Sequence, residues 1–129
     1  MSARLYWDTS ALLIRLFGEP GNESLTSYLA GLGEIESFSS RLLGVEIQSA
    51  FRRRTHDQSF LIEMIRKLEL EYVKLEGMFN FMTLTDAVIN RARGLLEHSG
   101  VSGRLRSLDA LHFATYLELA SKYFQISCY

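Results

Sequence analysis

The sequence predicts an α/β protein in which helices cover both faces of a central parallel sheet of about four strands. Short apolar or alternating segments recur along the 129 residues, and helical segments, mostly in pairs, separate each of them from the next. No repeat or long linker interrupts this order. Because parallel strands need crossover connections, which are usually helical, the alternation indicates three layers, α/β/α, in one domain over residues 1–129.

The strand segments are short and apolar on at least one face. The first ends at Asp8, the second alternates apolar and polar residues, and the third is apolar and aromatic. The predicted strands are Arg4–Trp7, Ile35–Ser39, Met78–Leu84 and Tyr123–Tyr129.

The helical segments repeat apolar residues at helical spacing and begin or end at recognisable signals. Thr9 or Ser10 is the expected N-cap of the first helix. Ser39 or Ser40 is expected to cap the third helix, and Asp57 the fourth. The predicted helices are Ser10–Phe17, Glu23–Gly31, Ser40–Arg54, Gln58–Glu76, Thr85–His98 and Leu108–Lys122, the last two separated by a loop at Val101–Ser107.

The composition argues against several classes of protein. Lys and Arg number 14 and Asp and Glu 15, so nucleic-acid binding cannot rest on a bulk positive field and needs a local patch. No uncharged apolar run approaches the ~18 residues of a membrane span, and Asp8 interrupts any signal-peptide core. The single cysteine, Cys128, cannot form an internal disulfide, so we expect a cytoplasmic protein with a buried, unreactive thiol.

Three carboxylates lie where an acid is unusual. Asp8 follows the first strand at its carboxyl end, where parallel sheets bind ligands, although a helix N-cap has the same signature. Glu46 lies inside the apolar stripe of its helix; a salt bridge to Arg53, or exposure at the edge of the stripe, is the alternative. Asp109 lies in the first turn of a helix that is apolar nearly all round and is therefore expected to be buried. Complementing the helix dipole is the alternative role for Asp109.

These carboxylates are placed where they could converge on one crevice. A group of carboxylates repels itself unless a cation lies among them. Oxygen ligands with open positions favour Mg²⁺ or Mn²⁺, ions that activate water for phosphodiester cleavage. The pattern therefore predicts metal-dependent chemistry at Asp8, Glu46 and Asp109.

Three segments resemble the motifs of PIN domains in their order and spacing. They are Asp8–Leu13, Glu46 after Leu42–Val45, and Leu108–Ala114. Together with the length, they are similar to VapC-type toxins of bacterial and archaeal toxin–antitoxin pairs, over essentially the whole chain. The resemblance implies a PIN-like fold and an endoribonuclease that needs Mg²⁺ or Mn²⁺, cuts RNA and is held inactive by a cognate antitoxin.

The resemblance also implies roles for individual residues. Asp8, Glu46 and Asp109 match the metal-binding acids, and Ser10 matches a small hydroxyl residue that supports them by positioning a ligand or water.

Basic residues near these acids are candidates for contact with an RNA backbone. Arg104 and Arg106 precede the helix of Asp109. Arg52 begins a run of three arginines, which equally suits the C-terminal end of a helix.

Two further features have a structural and a functional interpretation. His112 lies on an apolar face, and we expect a hydrogen-bonded core histidine rather than a catalytic base. The helix at Gln58–Glu76 is first a core helix; with Ser40–Arg54 it could also form a groove for an antitoxin helix or the seam of a homodimer.

One feature of the PIN family is missing from the sequence. Similar proteins carry a further acid just after the last strand, and Gln125–Tyr129 align with the residues leading to it. This difference keeps open the alternative of a catalytically silent PIN-like domain that binds RNA or a partner protein. A phosphotransfer or dehalogenase enzyme with Asp8 as nucleophile is a third alternative, disfavoured because such enzymes usually carry a second Asp where Ser10 stands.

Overall fold

The strands form a single parallel sheet, as the sequence predicts. The structure is a computed structural model that describes residues 2–57, 60–98, 105–123 and 126–128. The strands are β1 (Ala3–Tyr6), β2 (Ile35–Ser40), β3 (Phe79–Met82) and β4 (Ile126–Cys128). They lie in the order β3-β2-β1-β4, and each pairing is parallel.

Helices pack on both faces of this sheet. The helices are α1 (Thr9–Phe17), α2 (Asn22–Leu32), α3 (Leu42–His56), α4 (Ile62–Glu76), α5 (Asp86–His98) and α6 (Ser107–Lys122). Successive residues of a strand face opposite sides. Leu5 and Trp7 accordingly join a core with α1–α4, while Tyr6 joins a second core with Leu119 of α6. Helix α5 packs against α6, which completes the three-layer α/β/α arrangement.

The sheet order places a topological switch point beside β1. The chain moves from β1 outward through β2 to β3, and then returns to place β4 on the other side of β1. Tyr6 is therefore level with Phe38 on one neighbour and with Cys128 on the other. Ligands of parallel sheets bind at the carboxyl ends of strands at such a point, and Asp8 follows β1 there.

Two predicted helix caps are wrong. Helix α1 begins at Thr9, and its N-cap is Asp8, whose side chain accepts a hydrogen bond from the Ala11 N–H. Asp57 does not start α4; its backbone N–H donates to the Arg53 carbonyl at 2.9 Å, which closes α3 instead. Helix α4 begins later than predicted, at Ile62.

Other boundaries move by a few residues. The predicted N-cap of α3 is wrong as well: Ser39 and Ser40 end β2, and the N-cap is Arg41. The Ser40 Oγ accepts the Leu42 N–H at 3.1 Å. Ser107 begins α6 rather than ending the preceding loop. The last strand is shorter than predicted, and residues 99–104, 124, 125 and 129 of these segments lie outside the described residues.

The predictions of burial at the last helix and last strand are wrong. Helix α6 is buried on one side only: Ala110 and Ala114 are fully buried, whereas Leu108 and Phe113 are 45% and 44% exposed. The helix packs against the sheet and α5 but leaves its outer side to solvent. Cys128 is exposed at the end of β4. Partial burial of its sulfur and the charge of Asp8 raise the pKa of this thiol to about 11, so it stays protonated at neutral pH. No helix in the described ranges is long and apolar enough to cross a membrane.

Candidate functional site

A cavity of about 390 Å³ opens at the switch point, beyond the carboxyl end of β1. The start of α1, one face of α3 from Leu42 to Arg53 and the first turns of α6 form its walls. It brings together all three predicted acids and Ser10. The lining residues are Asp8, Thr9, Ser10, Leu13, Leu42, Val45, Glu46, Ser49, Arg53, Leu108, Asp109 and His112.

Asp8 enters the cavity from the turn between β1 and α1. One of its carboxylate oxygens, Oδ1, accepts the Ala11 N–H at 2.9 Å and the Ser10 hydroxyl at 2.9 Å. The N-cap alternative is therefore correct for Asp8, which also lines the cavity at the carboxyl end of β1. The predicted proximity of Ser10 to the first acid is also confirmed, because its hydroxyl donates directly to that acid.

Glu46 enters the cavity from the second turn of α3 and is partly buried, with 19% of its side chain exposed. Its Oε1 atom accepts the Thr9 hydroxyl at 2.7 Å and contacts His112 Nε2 at 2.5 Å. Burial raises the pKa of Glu46, but hydrogen bonds from His112 and Thr9 outweigh it, so the pKa lies below its usual value. Glu46 is therefore a carboxylate at neutral pH.

The alternative of a salt bridge between Glu46 and Arg53 is wrong. Arg53 lies on the same face of α3 as expected, but its Nη1 donates to the Ser49 hydroxyl at 2.9 Å. Within the described part of the chain Arg53 forms no ion pair with a carboxylate, so its exposed guanidinium lines the cavity with its charge uncompensated.

Asp109 enters the cavity from the first turn of α6 and is exposed. Its carboxylate accepts no hydrogen bond from the other residues that the structure describes, and its first-turn position complements the helix dipole. It is therefore the least constrained of the three acids.

The three acids share a cavity without forming a preassembled metal centre. Over residues 2–57, 60–98, 105–123 and 126–128, no three His, Cys, Asp or Glu side chains lie close enough to hold one ion. The chemistry of the donors nevertheless fits Mg²⁺ or Mn²⁺, which prefer carboxylate oxygens. Asp8 and Glu46 each use one oxygen for the hydrogen bonds described above, and the exposed Asp109 carboxylate lines the same cavity.

His112 is a buried, hydrogen-bonded histidine, as predicted. Its Nδ1 lies 2.8 Å from the Tyr6 hydroxyl, and its Nε2 lies 3.1 Å from the Thr9 hydroxyl in addition to its contact with Glu46. Sequence reasoning did not assign Tyr6 or Thr9 to the site. Thr9 stands next to Asp8, which is a signal in the sequence; the side chain of Tyr6 faces the opposite side of the sheet from its neighbours, which only the strand pattern indicates.

Of the predicted RNA-contact arginines, neither Arg52 nor Arg106 lines the cavity. Arg52 lines a different depression, between α3 and α4, with Glu69 and His56. Arg106 is the N-cap residue of α6 and is not part of the cavity wall, and Arg104 lies outside the described residues. Arg53 is the arginine that lines the cavity.

Comparison of the chain with protein-family models, with curated proteins and with solved structures gave no match. The function is therefore argued from the residues of the cavity.

Proposed function

We propose that this protein is a metal-dependent endoribonuclease in which Asp8, Glu46 and Asp109 hold Mg²⁺ or Mn²⁺. The observation that carries the proposal is that three acids from three separate elements line one cavity at the switch point of a parallel sheet. Parallel sheets bind ligands at this point, and carboxylate oxygens with open positions favour Mg²⁺ or Mn²⁺. Three acids on the walls of one such cavity therefore support a site for a hard cation.

The residues of the cavity have distinct parts in this proposal. Asp8 and Glu46 each keep one oxygen in hydrogen bonds to the protein and offer the other to the ion. Asp109 completes the set. When bound, Mg²⁺ or Mn²⁺ supplies an activated water and offsets the charge that develops on the phosphate. Arg53, which forms no ion pair among the described residues, would bind the scissile phosphate, since a guanidinium forms charge-assisted hydrogen bonds with phosphate oxygens.

RNA is the proposed substrate because the segments that supply the three acids resemble those of PIN-domain toxins. The same resemblance supports a cytoplasmic toxin held inactive by a cognate antitoxin and acting as a homodimer. Helix α4 offers a surface for such a protein partner. Ile62, Leu70 and Val73 follow one side of it and are 55%, 66% and 64% exposed, which is unusual for apolar residues on a helix that also contributes to the core.

A catalytically silent domain that binds RNA or a protein is the second candidate. It is favoured by the engagement of Glu46 with His112 and by the separation of the three acids in the described residues. In this candidate the cavity binds a ligand but performs no hydrolysis.

The two candidates differ in RNA cleavage by the purified protein. We would incubate total cellular RNA with Mg²⁺, with Mn²⁺ and with EDTA, and compare Asp109→Asn with Asp86→Asn. Both acids are exposed and lie in the first turn of a helix, but Asp86 begins α5 and is not part of the cavity wall. The nuclease proposal expects discrete, metal-dependent cleavage that Asp109→Asn abolishes and Asp86→Asn preserves. RNA binding without metal-dependent cleavage would support the silent domain.

A further inference from the structure

We propose that Tyr6, Thr9 and His112 are positioning residues that hold one oxygen of Glu46, so that its other oxygen is presented to a divalent cation. This inference rests on the proposed function, because the cation is the one proposed for Asp8, Glu46 and Asp109. The three residues orient Glu46, which binds the metal, and do not themselves bind the metal or the substrate.

The hydrogen bonds of these residues form one continuous buried network. The Tyr6 hydroxyl lies 2.8 Å from His112 Nδ1, and His112 Nε2 lies 2.5 Å from Glu46 Oε1. The Thr9 hydroxyl donates to the same oxygen at 2.7 Å. Tyr6, His112 and Thr9 are 0%, 6% and 7% exposed, so water does not compete with these bonds.

The positions of the protons follow from the network. Thr9 has one hydroxyl proton and donates it to Glu46, so the proton between His112 and its two oxygen neighbours belongs to His112 Nε2. The Tyr6 hydroxyl carries one proton, which it donates to His112 Nδ1 at 2.8 Å. Each donor then has an acceptor, and Glu46 Oε1 receives two hydrogen bonds.

Two residues contact Glu46 directly, Thr9 and His112, and Tyr6 holds His112 in turn. Tyr6 belongs to β1, Thr9 to α1 and His112 to α6, whereas Glu46 belongs to α3. A glutamate side chain loses considerable rotamer entropy when it is fixed, and bonds that already fix it lower the cost of binding an ion. Since Oε1 is engaged by two donors, Oε2 is the oxygen left for a ligand.

The location of Glu46 distinguishes this arrangement from an ordinary core network. Glu46, Thr9 and His112 all line the cavity that contains Asp8 and Asp109. A hydrogen-bonded carboxylate that served only stability would gain nothing from this position, since apolar residues of similar volume stabilise a core at least as well as a buried charged group.

Two substitutions of His112 test the roles of its two ring nitrogens separately. The side-chain amide of Gln reaches about as far as Nε2, so His112→Gln keeps a donor for Glu46 and loses the bond to Tyr6. The side chain of Asn is shorter, and its amide lies near the position of Nδ1. His112→Asn therefore keeps a hydrogen-bond partner for Tyr6 and loses the hydrogen bond to Glu46. Both variants are polar and smaller than histidine, and each is the control for the other.

The measurement is the affinity for Mn²⁺ alone, followed by the loss of the free-ion signal in electron paramagnetic resonance. Removal of a residue that orients a metal ligand typically weakens metal binding by ~10–100-fold. We expect a loss of this size for His112→Asn. For His112→Gln, which keeps the donor to Glu46 but gives up the bond from Tyr6, we expect a smaller loss of about threefold. Thermal unfolding of each variant reports any change in the fold separately.

The outcomes divide clearly. Equal Mn²⁺ affinity in His112→Asn and the original chain, with loss of binding in Glu46→Gln, would overturn the positioning role and leave the metal site intact. Mn²⁺ binding that survives both Glu46→Gln and Asp8→Asn would overturn the proposed function and this inference with it.

A second pair of variants covers the case in which substitutions of His112 do not fold. Thr9→Val removes one donor to Glu46 while keeping the side-chain shape, and Thr9→Ser restores the hydroxyl. We expect Thr9→Val to weaken Mn²⁺ binding and Thr9→Ser to recover it. Equal affinities in the two variants would refute the role assigned to the Thr9 hydroxyl.

Discussion

Asp8 has a structural and a proposed catalytic role, and two substitutions separate them. Asp8→Asn keeps an oxygen that can accept the Ala11 N–H and the Ser10 hydroxyl, because Asn and Asp are comparable N-caps. Asp8→Ala removes both hydrogen bonds. Both variants remove the negative charge that the proposed cation requires. We therefore expect both to lose cleavage but only Asp8→Ala to lose stability.

The size of the stability effect follows from the cap. Replacing an Asp cap by Ala costs about 1 kcal/mol. At ~2.1 cal/mol/K per residue, the unfolding entropy of a 129-residue chain is about 270 cal/mol/K. Asp8→Ala should accordingly lower Tm by about 4 °C, and Asp8→Asn by 1 °C or less. We expect cleavage to fall by about 100-fold or more in both, equivalent to ~2.7 kcal/mol of transition-state stabilisation.

The assays are thermal unfolding by circular dichroism and metal-dependent cleavage of RNA, both on the same preparations. If Asp8→Asn cleaves RNA as fast as the original chain, Asp8 is a helix cap and no more, and the metal proposal fails. If Asp8→Asn loses as much stability as Asp8→Ala, the account of the cap is wrong, because the amide oxygen does not replace the carboxylate.

Three further predictions address the substrate, the core and the outer surface. Arg53→Gln should weaken binding of a short RNA, measured by fluorescence anisotropy in EDTA, by about tenfold, whereas Arg52→Gln should have little effect; equal losses would place the phosphate contact elsewhere. Tyr72→Phe should raise the free energy of unfolding by ~1 kcal/mol in urea titrations, because the buried Tyr72 hydroxyl has no hydrogen-bond partner among the residues described. Burial raises the pKa of Tyr72 to about 12, so its folded form holds a proton that the unfolded form releases near pH 10. The free energy of unfolding should therefore fall as the pH rises from 10 toward 12, and Tyr72→Phe should remove that fall. Leu70→Glu combined with Val73→Glu should leave Tm within 2 °C and convert any dimer to monomer in light scattering; an unchanged mass would exclude this face of α4 from the dimer interface.

The strands and helices were predictable because the period of the apolar residues changes between them. Alternating residues at Ile35–Ser40 and helical spacing at Leu42–His56 identify neighbouring elements without any knowledge of the fold. The ends of elements were less predictable. Asp57 is a residue type that is common at N-caps, but Asp is also common in the turn that follows a helix. Only the backbone conformation decides between the two, and here Asp57 closes α3.

The site was predictable as a set of positions but not as a set of contacts. Strand order places Asp8 at the switch point, and helical phase puts Glu46 and Arg53 on one face of α3. The partner of Glu46 was not predictable, because His112 lies 66 residues further along the chain and reaches Glu46 through tertiary packing alone. The charged alternative, Arg53, lies closer to Glu46 in the sequence, but its guanidinium donates a hydrogen bond to the Ser49 hydroxyl instead.

The exposure of the last helix illustrates a limit of composition. Leu108 and Phe113 make α6 look buried on every side, yet both are nearly half exposed. An apolar residue can lie on a surface without cost to the fold when another part of the helix fills the core, and here Ala110 and Ala114 allow α5 to pack closely.

The order of the cavity residues in the sequence determines when the site can form during translation. A ribosome adds ~5–20 residues each second, so several seconds separate the appearance of Asp8 from that of Asp109 and His112. Until then Glu46 has only Thr9 to hold it, and β1 lacks its second neighbour, β4. A nascent chain that ends before α6 therefore carries two of the three acids without the histidine that orients one of them. For the proposed nuclease, this order of synthesis predicts that the emerging polypeptide stays inactive until α6 has been synthesised and folded.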